Sequence, residues 1–464
     1  MSFIVDKQTL DDLNILGQGS DSSSIFEIYN HTHTRGGAQL LEQMFRHPLD
    51  DIDKIRKRSS IINYFQQRNE SFPFNENCFD AAEYYLSITD TRTQMDMNDK
   101  MLQVKLQRLL NVDTELQLIH KGILSLLEIM NALHRFIANM ESESPEIIKS
   151  IEKSEKIKII LNNPELSWVK GEEATKKMFT DKLARYDRIL RYSCRTMMYE
   201  ILEYTYTLDV YISIAQIANI RGFVRAQVLP ANENILAIKG IYHPLIENAV
   251  GNDLYITSQN NVIFLTGANM AGKSTFMKAF SIAVFLAHVG LPVPAKEMTF
   301  SIRNGIYTTI NLADNLNLGY SHFYSEVLRV KKTAQSIKEY TNMIIVFDEL
   351  FRGTNVKDAY DATVAITEAF ASIKDSIFLI STHIIEAGFT LKDNGNIDFI
   401  YLPTKMIDSK PIYPYTLEQG ITSDRHGMMI IRNEGILDLL KDNPSKASST
   451  SISEQKDLYV HKKR

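Results

Sequence analysis

The first half of the chain carries its apolar residues at helical spacing. One apolar group lies at 25–29 and another at 40–45. Apolar residues three or four positions apart fall on one face of a helix, so this pattern predicts short packed helices from 25 to about 64. Gly36-Gly37 is expected to break these helices, and Pro48 marks the next turn.

Two long helical tracts follow. One runs from about 91 to 140 without proline, and the other runs from 172 to 221 with neither glycine nor proline. At 1.5 Å per residue the second tract would extend about 75 Å if it were unbroken. Patterns of this length without caps indicate a coiled-coil-like hairpin or lever. The polar segment between the tracts, 141–170, is expected to form the tip of this lever.

The pattern changes after Pro230. Short apolar runs at 235–238, 261–266, 342–347, 376–380 and 399–402 alternate with helical segments. This alternation predicts an α/β domain with a largely parallel sheet. We therefore divide the chain into a flexible lead-in (1–24), a helical core and lever domain (25–230), an α/β domain (231–440) and a disordered tail rich in serine and lysine (441–464).

Composition narrows the class of protein. The chain has 464 residues, enough for two or three domains, and a net charge of −5. A weakly acidic balance does not indicate a nucleic-acid binder, although a local basic patch is sufficient for one.

Cys78 and Cys194 lack metal-ligand spacing, and the N-terminal residues lack the basic start and long apolar core of a signal peptide, so we expect a cytoplasmic protein. The most apolar run, 281–291, is too short to span a bilayer and predicts a core helix without membrane contact.

A phosphate-binding loop is the most informative motif. Residues 267–275 match G-x-x-x-x-G-K-[ST] in full, between an apolar run that predicts a strand and one that predicts a helix. Backbone N–H groups and the helix N-terminus then form a cradle for a polyphosphate. Lys273 would reach the β- and γ-phosphates, and Ser274 would bind Mg²⁺. The predicted loop residues are Gly267, Ala268, Asn269, Met270, Ala271, Gly272, Lys273, Ser274 and Thr275.

A second candidate element is the acidic pair Asp348-Glu349, which follows the apolar run 343–347. Asp348 would hold Mg²⁺ through water, and Glu349 would polarise the water that attacks the γ-phosphate. Taken alone, the pattern also fits a buried strand followed by acidic loop residues. The phosphate loop upstream favours the catalytic interpretation.

Two further polar segments follow predicted strands. Thr382-His383 would lie at the carboxyl edge of the sheet, where His383 would contact the γ-phosphate or the attacking water. Taken alone, a histidine after a strand is more often an ordinary loop residue. Residues 352–355 (Arg-Gly-Thr-Asn) would form either a loop that faces a partner subunit or a helix start capped by Thr354 or Asn355.

Together these motifs resemble the ATPase domain of the MutS family of DNA mismatch-repair proteins. His243-Pro244-Leu245 looks like the family segment that precedes the nucleotide site, and 318–326 looks like its signature stretch. Residues 26–41 are similar to the family's helical core. Taken together, the matching segments extend the resemblance from about residue 22 to about residue 435. His31 and His33 are then better explained as part of this packed segment than as metal ligands.

The resemblance implies fold, activity and partners. The implied fold class is α + α/β, an all-helical core and lever domain followed by a P-loop NTPase domain of the ABC type. The implied activity is a DNA-binding ATPase that uses ATP and Mg²⁺ and acts in DNA mismatch repair or on branched DNA. ATPase domains of the family pair head to tail, so a homodimer is expected, with Ser321 of one subunit reaching the γ-phosphate held by the other. Ser321 also fits a simple helix cap.

The sequence departs from the family pattern at the expected DNA contacts. We expect no counterpart of the mismatch-reading domain or of the connector domain, and 141–170 looks too short for the usual DNA clamp. The lysines of this segment would bind phosphates, but interleaved glutamates favour a solvated helix face; they are Lys149, Lys153, Lys156 and Lys158. An alternative function is an ATP-driven switch that acts on a protein or a structured RNA.

Overall fold

The first four helices of the chain each begin after a residue whose side chain caps the helix. The computed structural model describes residues 3–17, 23–89, 114–172, 180–310, 322–351, 353–407, 410–422 and 435–436. The helices are α1 (Lys7–Asp12), α2 (Ile25–Tyr29), α3 (Arg35–Arg46), α4 (Ile52–Arg68), α5 (Asn77–Ser87), α6 (Thr114–Glu143), α7 (Pro145–Ser150), α8 (Ser154–Leu161), α9 (Thr180–Asp187) and α10 (Arg195–Arg221). Ser24 and Glu27 form a capping box at α2, so the local sequence fixes where that helix begins.

Gly36-Gly37 does not break a helix, contrary to our expectation. Thr34 caps α3, and both glycines lie in its first turn. They are needed because α10 passes very close: a Cβ atom at Gly36 would lie 2.4 Å from the Tyr206 ring, and one at Gly37 would lie 2.5 Å from Asp209 Oδ2. Close packing between α3 and α10 therefore explains the glycine pair.

Asp209 of α10 ties this junction together. Its buried carboxylate accepts hydrogen bonds from the backbone N–H groups of His33 and Thr34 and from the Thr34 hydroxyl. The His33 ring lies 3.0 Å from Asp209 and stacks on Phe72 at 4.5 Å. This role supports the packing interpretation of His33, and the described residues contain no cluster of three or more metal-ligating side chains.

The 172–221 tract is not one continuous helix. In its described part, α9 and α10 are separated by a π-helical segment at Arg188–Ser193. Inside this segment the buried Arg191 pairs with Asp187 at 2.6 Å, and Asp187 also accepts a hydrogen bond from Tyr85. Buried charged groups require such partners, and π-segments often mark places where side chains intrude on helical hydrogen bonding. Residues 91–113 and 173–179 of the two tracts lie outside the described ranges.

Residues 141–170 do not form a distal tip. They fold into α7, α8 and the 3₁₀ helix Pro164–Gly171, which contact α4, α6 and α10. Their apolar side chains are buried in the common core; they are Ile148, Ile151, Ile157, Ile160, Leu161, Leu166 and Val169. Burial of this row explains why the segment packs against the helical core although its outer face is charged.

The second half is built on a parallel sheet. Its strands are β2 (Gln227–Leu229), β3 (Leu236–Ile241), β4 (Asn252–Ile256), β5 (Val262–Gly267), β6 (Glu297–Ser301), β7 (Gly305–Thr309), β8 (Met343–Phe347), β9 (Ile377–Ser381), β10 (Ile397–Leu402), β11 (Lys405–Ile407), β12 (Lys410–Ile412) and β13 (Glu418–Gln419). Its helices are α11 (Lys273–Val289), α12 (His322–Glu339), α13 (Val356–Ala371) and α14 (Ile385–Leu391). With β1 (Ile4–Val5), the main sheet has the order β1-β7-β8-β9-β5-β10-β13 and is parallel except for β13. The strands predicted from the apolar runs are all present.

A smaller sheet of order β2-β6-β3-β4 joins the two halves of the chain. Its strand β2 contacts α4 of the helical half. One apolar core runs from the helices to α11 and to one face of the main sheet, with Phe45 and Phe285 rings 6.2 Å apart across the junction. Helix α11 contains residues 281–289 of the apolar run 281–291 and is buried along nearly its whole length, as predicted. Among the described residues, no helix is both long and apolar enough to cross a membrane.

The segment at 3–17 is not a flexible lead-in. Residues Ile4–Val5 pair in parallel with β7 and form an edge strand of the main sheet. Buried Asp12 accepts hydrogen bonds from the Thr308 hydroxyl and the Ile310 N–H, at 2.7 and 2.9 Å. Burial raises the pKa of Asp6, but its bonds to Arg329 outweigh this effect and hold that pKa well below the usual range. The predicted tail, 441–464, lies outside the described residues.

Replacement of Asp12 by alanine is expected to destabilise the protein. The change leaves the Thr308 hydroxyl and the Ile310 N–H without their buried acceptor, at a cost of about 1–3 kcal/mol each at most. The midpoint of urea denaturation should fall. Asp11→Ala removes the neighbouring exposed carboxylate and serves as the control. Equal midpoints for both variants would contradict the structural role of Asp12.

Candidate functional site

The loop between β5 and α11 turns at two glycines with positive φ. Gly267 has φ +149° and Gly272 has φ +100°, values that favour glycine over residues with a Cβ atom. Met270 adopts φ +71° and exposes 81% of its surface. A bulky residue in this backbone region is strained, and such strain concentrates at ligand-binding segments.

Lys273 begins α11 and points back into the loop. Its side chain is buried, and its Nζ donates to the carbonyl oxygens of Gly267 at 3.0 Å and Ala268 at 3.3 Å. Burial lowers the pKa of Lys273, and the nearby carboxylates of Asp348 and Glu349 partly oppose that effect. The ammonium group is thus held inside the loop, close to the acidic pair.

The hydroxyl residues of the motif lie at the open end of α11. Ser274 and Thr275 are exposed in the first turn of this 17-residue helix, and Asn269 is exposed in the loop before it. Ala271 is buried and its N–H donates to the Ala268 carbonyl, which closes the loop as a turn. The positive end of the helix dipole therefore faces solvent beside these hydroxyl groups.

The acidic pair follows β8, as predicted. Strand β9 lies between β8 and β5, so the carboxyl ends of all three strands meet at one edge of the sheet. The Ser381 hydroxyl donates to the Asp348 carboxylate and accepts a hydrogen bond from the Glu349 N–H at 3.0 Å. Glu349 has φ +55°, an uncommon value for glutamate that turns the chain directly after Asp348.

His383 lies beside Glu349. Its Nε2 is 2.7 Å from the Glu349 Oε1 atom, and about a third of its side chain is exposed. Thr382 is buried, and its hydroxyl accepts a hydrogen bond from the Ile384 N–H, which shapes the turn after β9. The predicted catalytic residues Lys273, Glu349 and His383 therefore lie at the same edge of the sheet.

A cleft with about 690 Å³ of empty volume opens beside the loop. It is lined by His243, Ile246 and Val250 on one side and by Gly272, Phe276 and Tyr415 on the other. Burial, with a smaller contribution from Lys278, lowers the pKa of His243 to about 4, so this imidazole is neutral at neutral pH. A neutral ring in a mostly apolar cleft fits a planar, uncharged group better than it fits an anion.

The acidic pair and the loop fit a magnesium–nucleotide site better than an independent metal site. The described residues hold no group of three or more His, Cys, Asp and Glu side chains placed for a metal ion. Magnesium in nucleotide sites uses one or two carboxylates, and the phosphates and water supply the other ligands. Asp348, with the exposed Ser274 hydroxyl, matches that requirement.

Sequence reasoning missed two residues of this region. Ser381 was not singled out, because its bonds to both acidic residues follow only from the position of β9 next to β8. Tyr415 lies against Gly272 although 143 positions separate them, and no local pattern indicates that contact. Asn355 caps α13, as one of our two interpretations had it. Ser321 and Arg352 lie outside the described residues.

Comparison with known proteins supports the motifs independently. Residues 8–215 match the family model described as MutS domain III, and residues 263–447 match the model described as MutS domain V. Together the two models match the helical half and the half that contains the phosphate loop.

Individual relatives agree with these matches. The chain is 34% identical over 235 residues to DNA mismatch repair protein MutS of Geobacillus thermodenitrificans. The aligned stretch covers 49% of this chain and 25% of that protein. It is 28% identical over 240 residues to MutS protein homolog 4 of Mus musculus. This second alignment covers 49% of this chain and 24% of that protein. The aligned stretches therefore span only about a quarter of these relatives. On these matches, the chain belongs to the MutS family.

Proposed function

We propose that this chain binds ATP with Mg²⁺, hydrolyses it to ADP and phosphate, and couples that cycle to DNA binding in mismatch repair or on branched DNA. One observation supports the ATPase most directly. Lys273, Asp348, Glu349 and His383 converge at the edge of one parallel sheet, beside a glycine loop that opens a helix. This is the arrangement that phosphoryl transfer requires, since it depends on positioning and charge compensation.

Each residue has a distinct part in the proposed hydrolysis. The loop N–H groups and Lys273 hold the β- and γ-phosphates. The oxygen of a water molecule attacks the γ-phosphorus, and Glu349 accepts a proton from that water. The bond between the γ-phosphorus and the oxygen that bridges it to the β-phosphate breaks, and its electron pair leaves with ADP. His383, at 2.7 Å from Glu349, orients that carboxylate and hydrogen-bonds the attacking water or the γ-phosphate.

Asp348 and Ser274 would hold the magnesium ion. When bound, Mg²⁺ neutralises charge on the β- and γ-phosphate oxygens. The hydrogen bond from Ser381 fixes the Asp348 carboxylate at the end of β8. The cleft lined by His243 and Tyr415 would take the nucleoside, because its neutral, mostly apolar walls suit a base and a ribose.

A homodimer is part of this proposal. Met270, Val356 and Phe389 expose 81%, 78% and 56% of their surfaces, and they follow β5, β8 and β9 in the chain. Met270 lies in the phosphate loop itself, and Val356 and Phe389 lie in the helices that leave the same edge of the sheet. Exposed apolar side chains gathered around a site are typical of a surface that a partner covers. A second copy that binds there would bring its Ser321 to the γ-phosphate, as the family resemblance implies.

Direct contacts can carry the state of the loop into the helical half. Arg58 of α4 donates to the Val289 carbonyl at 2.5 Å, and the Leu49 N–H donates to the His288 carbonyl at 2.7 Å. Both acceptors lie in the last turn of α11, the helix that begins at Lys273. A rigid helix between the two sites gives a physical path for coupling ATP to the helices. The relative from Geobacillus thermodenitrificans is named a DNA mismatch repair protein, which supports DNA as the partner.

The alternative function is an ATP-driven switch that acts on a protein or a structured RNA. It is favoured by the net charge of −5 and by the pairing of the lysines at 153–158 with glutamates. Such lysines offer little free charge to a DNA backbone.

Lys273→Ala is expected to abolish ATP binding at micromolar concentrations. The substitution removes the ammonium group inside the loop, and loss of charged hydrogen bonds of this kind weakens binding by roughly 100-fold or more. Isothermal titration with ATP and MgCl₂ measures the effect. Lys392→Ala, which removes an exposed lysine after α14, should bind as the wild type does. Unchanged affinity in the Lys273 variant would disprove the assignment.

Glu349→Ala is expected to bind ATP but to hydrolyse it about 10²–10⁴-fold more slowly, because the proton acceptor is lost. ATP should remain on the protein after rapid gel filtration, whereas the wild type should retain ADP. The control is Glu368→Ala, on the exposed face of α13. Ordinary turnover by the Glu349 variant would refute its catalytic role.

DNA binding is expected to weaken steeply with salt and to change with nucleotide. Fluorescence anisotropy with homoduplex, mismatched and branched DNA, with and without ATP, measures both effects. Phosphate contacts make the logarithm of affinity fall linearly with the logarithm of salt concentration. No saturable binding to any DNA at low salt would exclude the DNA proposal and leave the alternative function.

A further inference from the structure

Three lysines between residues 153 and 158 are poor candidates for a phosphate-binding surface. Lys153 pairs with Glu203 at 2.7 Å, and Lys156 pairs with Glu200 at 2.7 Å. Lys158 lies 2.8 Å from both Glu141 and Glu155. Each of these cations already has a carboxylate partner within the chain, so a phosphate would have to compete with it.

A second cleft has the opposite character. It lies between α4 and β2, at the junction of the two halves, and its empty volume is about 900 Å³. Its lining contains two arginines, two serines and a glutamine but no acidic residue; these are Arg56, Arg225, Ser59, Ser60 and Gln227, with Ala226, Val228 and Leu229.

The two arginines are held by neutral groups. Arg56 Nη2 donates to the Val228 carbonyl at 3.3 Å, and Arg225 Nη2 donates to the Ser60 hydroxyl at 2.8 Å. A guanidinium has five N–H donors, so most of its donors stay available in each case. Within the described part of the chain, neither arginine has a carboxylate within ion-pair distance, unlike Arg46, which pairs with Glu42 at 2.7 Å.

Partial desolvation lowers the pKa of the Arg225 guanidinium, and no neighbouring charge opposes this effect. Arg225 is exposed on the wall of the cleft, so an anion can reach a cation that has no anionic partner there. Ser60 accepts its hydrogen bond from Arg225, so its own O–H group remains able to donate.

We propose that Arg56, Arg225 and Ser60 form a binding site for a phosphate group in the cleft between α4 and β2. Planar guanidinium groups match the oxygens of a phosphate, and the serine hydroxyl adds a third donor. The phosphate is either a phosphodiester of the DNA backbone or a free phosphate ion. The DNA form rests on the proposed function, whereas the free-ion form does not. The site joins the helical half to the smaller sheet, so its occupant would contact both.

Thermal melting of the full-length chain tests the site. The Lys273→Ala background removes the phosphate loop as a competing site. Melting temperatures are compared in sodium phosphate and in sodium chloride at equal ionic strength. The parent should melt at least 2 °C higher in phosphate, and Arg56→Gln/Arg225→Gln should lose this difference. Arg46→Gln, which removes an exposed and paired arginine, should keep it.

A purely structural role gives a different result. If the arginines only join α4 to β2, the double variant melts lower in both salts and the difference between the salts stays the same. Arg56→Lys/Arg225→Lys keeps the charge and should keep part of the phosphate effect. Two results overturn the proposal. One is an unchanged phosphate effect in the double glutamine variant. The other is no phosphate effect in the parent together with an unchanged salt dependence of DNA binding in the double glutamine variant.

DNA binding by the double glutamine variant, in the otherwise wild-type chain, distinguishes the two sources of phosphate. If the DNA backbone occupies the cleft, affinity falls roughly tenfold, and the slope of log affinity against log salt becomes shallower by about two, one for each lost contact. A lost phosphate effect with an unchanged slope assigns the site to free phosphate. If the wild type binds no DNA, the DNA part of the proposed function fails, and the melting comparison alone decides the site.

Discussion

Backbone hydrogen bonds between parallel strands determine where the chemistry of this protein lies. Strand β9 pairs with β5 on one side and with β8 on the other, and Leu265 is in register with Ser381. Because all three strands run in the same direction, the segments that follow them emerge at one edge. Lys273, Glu349 and His383 are distant in sequence and meet only because of this register. The Ser381 hydroxyl, which bonds to both acidic residues, then fixes their positions relative to β9.

The parts that were predictable from sequence have a local physical signal. The phosphate loop needs glycines at positive φ, a lysine at the start of the following helix and an apolar strand before the loop. All of these features lie within 15 consecutive residues. The strands of the main sheet were predictable for the same reason, since buried parallel strands are nearly continuous apolar runs. Tyr415 and Ser381 were not singled out because their importance depends on long-range pairing, which leaves no local pattern.

The helical half shows what local patterns leave out. The segment at 141–170 was expected at a distal tip because its charges are conspicuous, yet Ile148, Ile151 and Ile157 are buried against neighbouring helices. The spacing of these isoleucines, three and then six positions, indicated a packed face. The number of helices that pack around this face was not predictable. In the same way, Gly36-Gly37 indicated a break, whereas the close passage of Tyr206 and Asp209 explains it as helix packing. Each error arose because tertiary contact outweighed local propensity.

The edge strand β1 has a consequence for how the protein folds as it is made. Ile4 and Val5 pair with β7, whose residues follow roughly 300 positions later in the chain. At ribosomal rates of about 5–20 residues per second, this segment stays without its neighbour for roughly 15–60 s. The helices between them can form first, so β1 would join the main sheet after the helical half has folded. An exposed strand during that interval is a point where chaperones would bind.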